Sequence, residues 1–334
     1  MIYSAKMLSA SPLVTVVTPT LNSGCYLQKS VESVLRQDYP NIEYLVVDSN
    51  STDDTPDILR KYAGRLRTIK TSRLGPASGI HTGLLQARGS ILAWLNADDI
   101  YEPDAVRAAV ASFQEHADAD VVYGDACWID EDDATIRPYP TIPFDASALE
   151  RDCFICQPAS FIRASAYREC PLDASLQVSF DYDLWIRLAI HGRHFQYLQK
   201  NLARSRMHRE CLSLARRREV FEVSMGLLKQ HYGYIPLPWV FGYLSYRRDG
   251  RDQFFKPLRY SPMVFAGSLA VGIAWNPTKA LRMIREWTTT AGRGLKKELA
   301  RLSTMLAVEP GIRPDPLPEP PLRKARPVAA KRQV

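Results

Sequence analysis

Three short polar clusters stand where chemistry could be done. Pro19-Thr20-Leu21-Asn22 follows the apolar run Leu13–Thr18, Asp48-Ser49-Asn50-Ser51-Thr52-Asp53-Asp54 follows Ile42–Val47, and Asn96-Ala97-Asp98-Asp99 follows Ile91–Leu95. A single Asp/Asn-rich cluster after a strand commonly makes a turn or caps the next helix, as Thr52 or Asp53 could for a helix from Thr55. Three clusters at the same point after three buried runs instead line up carboxylates and amides along one rim. The neighbouring carboxylates Asp98 and Asp99 repel each other and call for a cation or donor groups. A hard divalent ion that keeps phosphate oxygens and water among its ligands suits them.

The elements that position these clusters read as an α/β chain. Short apolar runs alternate with amphipathic segments from residue 13, the pattern of a mostly parallel sheet with helices on both faces. Residues 26–37 carry Leu27, Val31, Val34 and Leu35 on one helical face; Thr55–Tyr62, Ala77–Ala87 and a segment from Pro103 to Glu115 predict further helices. Leu66–Ile69 and Val121–Tyr123 predict strands. After residue 125 the rhythm loosens through Asp130–Asp133 and Pro138, Pro140 and Pro143, and helices are expected near Asp181 and over 216–232. In open sheets of this kind ligands bind beyond the carboxyl ends of the strands. All three clusters fall there.

The residues also carry a resemblance. Val14-Thr-Val-Val-Thr-Pro-Thr-Leu-Asn22, Val31-Glu-Ser-Val-Leu-Arg-Gln37, Tyr44-Leu-Val-Val-Asp48 with Ser51-Thr-Asp53, and Ile91-Leu-Ala-Trp-Leu-Asn-Ala-Asp-Asp99 resemble glycosyltransferase family 2. So do Gln157-Pro-Ala-Ser-Phe161 and Asp181-Tyr-Asp-Leu-Trp-Ile-Arg187, in order over residues 12–215. Val122-Tyr-Gly-Asp125 and Trp128-Ile-Asp130 are similar to the bacterial surface-polysaccharide and glycolipid branch. The resemblance implies a GT-A fold, a nucleotide-sugar donor with UDP the expected nucleotide, a divalent metal (Mn2+ or Mg2+), and transfer with inversion to a saccharide or lipid-linked acceptor. It places Pro19, Thr20, Asn22, Asp48, Ser51 and Asp98 on the donor, with Asp48 accepting from the base imide. It places Asp98 and His208 at the metal, Asp181 as the base, and Gln157 and Trp185 on the acceptor side.

Chemistry asks for the same parts. An inverting transfer needs one base beside the acceptor hydroxyl, and a desolvated carboxylate serves; the leaving diphosphate needs its charge neutralised. The sequence departs from the family pattern in places. Asn96 stands at the first position of the DxD motif, and Phe180 replaces the Glu of the Glu-Asp pair, which leaves Asp181 and Asp183 as rival bases about 200° apart on a helix. Trp185, nearly one turn from Asp181, could share its face. His81 and Ser78 occupy positions where relatives often carry Asn and Asp, and Arg73 is a further candidate for the nucleotide.

Composition sets the remaining bounds. Residues 1–200 carry 18 Lys/Arg against 26 Asp/Glu, and residues 201–334 carry 25 against 10, so the +7 total hides a basic second half. Such a half suits an anionic surface. Ser261–Trp275 is mostly apolar but shorter than the roughly 20 residues that span a bilayer. With Trp275, Trp287, the face Leu295, Leu299, Leu302 and Leu306, and Arg293, Lys296, Lys297 and Arg301, it predicts attachment at an anionic membrane interface. The competing expectation is that this segment packs on protein. No charged and apolar leader precedes residue 12, so the expected location is cytoplasmic, at the inner face of the cell membrane. Six cysteines are too few for a disulfide scaffold, and Cys153 and Cys156 are expected as buried small hydrophobes.

The expected organisation is an arm over 1–11, a GT-A domain over 12–233 whose nucleotide half is 12–125 and acceptor half 126–233, a helical extension over 234–308, and a disordered tail over 309–334 with seven prolines. A dehydrogenase is excluded because no GxGxxG follows the first strand. A sugar nucleotidyltransferase would open with a Gly-rich, Arg-containing phosphate loop, which Thr20-Leu-Asn-Ser-Gly-Cys25 is not. A non-catalytic carbohydrate-binding relative would lack Asp98 and Asp181, and both are present. Nucleic acid has only charge in its favour, and no nucleic-acid partner is expected.

Overall fold

The computed structural model describes residues 8–72, 75–252, 254 and 259–306, with side chains described as far as residue 294. Arg73, Lys296, Lys297, Arg301, the leucine face from Leu295 and the tail 309–334 lie outside the described residues or side chains. Two compact units are distinguished, residues 1–287 and 288–334. Every site discussed below belongs to the first, which continues beyond residue 233.

A nine-stranded mixed sheet forms the centre. Strands β1 (Val14–Thr20), β2 (Ile42–Asp48), β3 (Arg67–Lys70) and β4 (Ile91–Trp94) are followed by β5 (Ile100–Tyr101), β6 (Val121–Ile129), β7 (Thr135–Pro138), β8 (Ser160–Arg163) and β9 (Phe195–Arg206). They lie in the order β3-β2-β1-β4-β8-β6-β9-β5, with β7 on β6. The pairs β1–β2, β2–β3, β1–β4 and β6–β9 are parallel; β8 runs against both β4 and β6, and β5 against β9. The carboxyl ends of β1, β2, β4, β6 and β9 therefore share one rim.

Both faces are covered. Helices α1 (Gly24–Leu35), α2 (Thr55–Lys61), α3 (Pro76–Leu85) and α4 (Ala105–Glu115) precede α5 (Ala146–Arg151), α6 (Ala164–Glu169) and α7 (Phe180–Ile190). Leu27, Val31 and Val34 of α1 with Val106, Val110 and Phe113 of α4 form one core layer; Ile80 and Leu84 of α3 with Leu184, Trp185 and Leu188 of α7 form the other. Double coverage is why β1 is buried almost throughout, with no alternation. Helix α3 lies so close to β1 that a Cβ on Gly83 would meet Val17 at 2.4 Å.

The second half of the domain is more regular than its sequence suggests. β6 runs on past Tyr123 to Ile129 and pairs along its length with β9, with register shifts around Asp125. Gly124 sits at that bulge, where a Cβ would lie 2.6 Å from Leu202 and from the Lys200 carbonyl. After β9 come α8 (Leu212–Ala215), α9 (Arg217–Tyr232), α10 (Leu237–Asp249), α11 (Pro262–Trp275) and α12 (Ala280–Leu306). Trp287, expected at a headgroup boundary, instead stacks on Phe265 at 4.8 Å and donates its indole N–H to the Phe265 carbonyl. Trp275 lies against Tyr243, with ring centroids 6.0 Å apart. No described helix is long and apolar enough to cross a membrane.

Candidate active site

The shared rim opens into a cavity of about 1010 Å³, lined from the ends of β1, β4 and β9, the start of α7, and α9 and α10. β4 delivers Asn96-Ala97-Asp98-Asp99 to its floor. Asp98 faces the cavity, and its Oδ2 lies 3.0 Å from His208 Nε2, brought in from just beyond β9. The His208 ring also packs at a tilt against Tyr26, with centroids 5.0 Å apart. Asp99 turns inward, buried, accepting from the Arg206 amide at 2.9 Å and from Asn96 Nδ2 at 3.0 Å. Burial first, and then the neighbouring Asp98 charge, pushes its carboxyl up to about 8.

Asn96 has a structural reason to be an amide. Its Nδ2 donates both to Asp99 Oδ2 and to Gln157 Oε1 at 3.1 Å, which a carboxylate could not do. Gln157 in turn donates to the Trp94 carbonyl at 2.8 Å. Gln157 thus touches the cavity while its amide is spent on holding the β4 loop.

The residues expected at the nucleoside divide into two groups. Pro19 and Thr20 line the cavity, and the buried Thr20 hydroxyl has no partner among the described residues. Asn22 lines it too, but with φ at 53° it serves as a clasp: its N–H donates to Ser51 Oγ and its Oδ1 accepts from the Thr52 amide. Asp48 accepts from the Ser51 amide at 3.0 Å in an Asx turn. Neither Asp48 nor Ser51 belongs to the cavity wall, although Ser49 does.

The rival carboxylates on α7 separate clearly. Asp181, in the first turn, faces the cavity, and burial raises its carboxyl against the lowering pull of the Tyr182 amide. Asp183 is buried and bound to Arg187 Nε at 2.7 Å and His231 Nε2 at 3.0 Å. Trp185, expected on the acceptor side with Asp181, is a core residue stacked on Trp94 at 6.1 Å and does not reach the cavity. Packing rather than helical phase decides this, because α7 is apolar on several sides and only its first turn is open.

Arg206 was not singled out from sequence. Its side chain is wholly buried, donating Nε–H to the Asp98 carbonyl at 2.9 Å and Nη1–H to the Asp130 carbonyl at 2.7 Å, and pairing with Asp133 at 2.5 Å. It also lies over the Tyr26 ring at 4.7 Å. The available signal was an arginine ending a strand two residues before His208. Cys153 and Cys156 are free thiols on the cavity wall whose pKa values burial pushes up, so they are poor nucleophiles.

A mixed, mostly parallel sheet with this rim and covering of helices is the GT-A architecture. Solved structures share it: Staphylococcus aureus TarS residues 1–349 in complex with UDP-GlcNAc matches with a TM-score of 0.59 at 18% identity, over 81% of this chain and 83% of that one. The mannosyltransferase PcManGT from Pyrobaculum calidifontis, in complex with GDP-Man and Mn2+, matches with 0.54 at 20% identity, over 90% and 85%. Residues 15–169 match the family model described as glycosyl transferase family 2. An uncharacterized glycosyltransferase of Rickettsia felis is 27% identical over 215 residues, 60% of this chain and 35% of the relative. The chain spans about one third to two thirds of the length of the relatives it matches.

Proposed function

We propose that the chain is an inverting glycosyltransferase that moves a sugar from a UDP-sugar to a saccharide or lipid-linked acceptor in polysaccharide or glycolipid synthesis. The observation that carries this reading is the convergence on one cavity of the Asp98–His208 pair and of Asp181, a carboxylate that burial makes more basic. Nucleotide sugars in the TarS and PcManGT complexes favour a donor of the same chemistry.

Asp181 takes the proton of the acceptor hydroxyl as its oxygen bonds to the anomeric carbon, and the bond from that carbon to the diphosphate breaks on the opposite face. The proton ends on the Asp181 carboxylate, and no covalent sugar intermediate is needed. Among the described residues no three His, Cys, Asp or Glu side chains converge as a protein-only metal site. Asp98 and His208 nevertheless fit Mn2+ or Mg2+, supplying one oxygen and one nitrogen and leaving the other positions for diphosphate oxygens and water. When bound, such an ion acts as a Lewis acid that neutralises the departing diphosphate. Thr20 lines the cavity with a buried hydroxyl that has no partner among the described residues, which makes it the donor-side candidate for the nucleotide.

The same reading places the enzyme on an anionic membrane surface at the cytoplasmic face. Met263 on α11 and Leu281 on α12 are 86% and 83% exposed, with Tyr260 and Ile284 also exposed. From residue 253 to 285 the sequence has five Lys/Arg and no Asp or Glu. Apolar side chains on a basic segment fit lipid headgroups.

A panel of nucleotide sugars with Mn2+, read by release of nucleoside diphosphate, tests the activity. Asp181→Asn keeps UDP affinity while turnover falls by roughly two to four orders of magnitude. Turnover within a few-fold of wild type would remove Asp181 from the role of base.

A further inference from the structure

The cavity is larger than one ligand requires. Its volume of about 1010 Å³ lies at the top of the roughly 300–1,000 Å³ usual for a single small-molecule site, so it has room for donor and acceptor together. Away from Asp98 and His208 its wall changes character, to aromatic rings interleaved with arginines. Arg217, the first residue of α9, is 9% exposed and lines the cavity. Its guanidinium carbon lies 4.4 Å from the centre of the Phe221 ring and 5.0 Å from that of Phe254. Arg137, on the exposed strand β7, lies 4.6 Å from the Trp128 ring. All three rings and both arginines border the same space.

A guanidinium held between rings has lost much of its hydration and is fixed in orientation, and its planar fork matches the two oxygens of a carboxylate or phosphate. The carboxylates of Asp152 and Asp252 act on Arg217 and raise its pKa, but burial outweighs them and lowers it to about 10. The positive charge is therefore costly to keep where it is, and an incoming anion relieves part of that cost. Aromatic faces beside it suit the apolar face of a sugar ring.

We infer that this wall is an acceptor subsite that reads an anionic group on the sugar acceptor, with Arg217 as the specificity-determining residue and Arg137 as its companion at the rim. The inference rests on the glycosyltransferase reading and narrows its acceptor class to saccharides carrying a carboxylate or a phosphate. Neutral acceptors leave the guanidinium with the partners it already has and gain nothing from it.

The test uses the full chain saturated with UDP and Mn2+, with binding of small acceptor fragments followed by calorimetry or saturation-transfer NMR. 4-Nitrophenyl β-glucuronide is compared with 4-nitrophenyl β-glucoside for the carboxylate, and glucose 6-phosphate with glucose for the phosphate. At least one charged member should bind tenfold or more tightly than its neutral partner, and which pair shows it identifies the anion. Arg217→Gln should abolish that advantage and Arg217→Lys retain part of it, with UDP affinity within about threefold of wild type. The inference is overturned if neither charged compound gains in the wild-type protein, a result that needs no variant to fold. It is equally overturned if the advantage survives Arg217→Gln, or if that change weakens UDP tenfold, which would make Arg217 a donor ligand. Failure of the wild-type protein to bind UDP at all would instead sink the glycosyltransferase reading.

Discussion

Replacing Arg206 by methionine keeps most of the side-chain volume and removes every polar contact beneath the Asp98 loop. Four acceptors lose a partner: the Asp98, Asp130 and, at a longer 3.4 Å, Glu131 carbonyls and the Asp133 carboxylate. The Asp98 and Asp130 carbonyls are the main-chain groups tied most closely to this wholly buried guanidinium, and an unmet buried acceptor costs about 1–3 kcal/mol. Asp133 keeps Lys29 as a partner and is 30% exposed, so its share is small. The apolar methionine recovers little in a site shaped by carbonyls. The net destabilisation is about 3–5 kcal/mol, in the range for breaking a buried ion pair. Melting temperature should drop by roughly 6 °C or more. Because the Asp98 carbonyl is one of the freed groups, the carboxylate on the same residue loses its orientation toward His208, and Mn2+-dependent UDP affinity should fall by roughly tenfold, or about 1.4 kcal/mol. Differential scanning calorimetry and titration of UDP with and without Mn2+ measure the two effects separately. A melting point within 2 °C of wild type by about the same scale, or a destabilised variant whose UDP affinity keeps its full metal dependence, would refute the reasoning that Arg206 positions the site.

Asp183→Asn breaks the pairing with Arg187 and His231 and should cost about 3–5 kcal/mol of stability, measured by denaturant unfolding, while UDP affinity of the folded fraction stays at the wild-type value. For Asp99 the folded carboxyl sits above its unfolded value, so its stabilising proton is fully in place below about pH 4 and is lost as pH rises through about 8. Melting temperature should therefore fall between pH 5 and 8, with a shallower slope in Asp99→Asn by scanning fluorimetry; equal slopes would dismiss the raised carboxyl. Co-sedimentation of the full chain with phosphatidylserine vesicles at low salt should be lost in Met263→Glu/Leu281→Glu with UDP affinity intact, and wild-type protein that ignores the vesicles refutes the membrane surface.

The first part of the chain was legible because β1, β2 and β4 are buried, largely apolar runs that end abruptly in polar residues, so Pro19, Thr20 and Asp98 could be placed on the rim from spacing alone. The clasp between Asn22 and Ser51 was not, because which side of an Asx-rich loop faces a cavity depends on a hydrogen bond made 29 residues away. Asp181 and Asp183 could be told to point apart, but the groups that occupy Asp183 come partly from His231, 48 residues later. The core position of Trp185 was hidden for the same reason: its partner Trp94 lies on strand β4, far from α7 in the sequence. β8 escaped notice because it is four residues long, and β9 because Gln196, Lys200 and Asn201 interrupt its apolar pattern. A strand paired on both sides can carry polar residues that its neighbours satisfy, and sequence periodicity does not see neighbours.

The order of strands in the sheet sets a schedule for synthesis. β4 pairs on one side with β1, already made, and on the other with β8, whose Ile162 and Arg163 lie opposite Leu92 and Ile91. That second neighbour emerges about 70 residues later, and at roughly 5–20 residues per second the apolar Ile91-Leu-Ala-Trp94 edge stays unpaired for some 4–14 s on the ribosome. β5 waits longer, since its partners Ala203 and Arg204 come at the far end of β9. An unpaired apolar edge is a template for the wrong strand of another chain. The nascent protein is thus most vulnerable to aggregation after β4 has been made and before β8 closes the gap, and ribosome stalling between residues 95 and 160 should lower soluble yield more than stalling after residue 210.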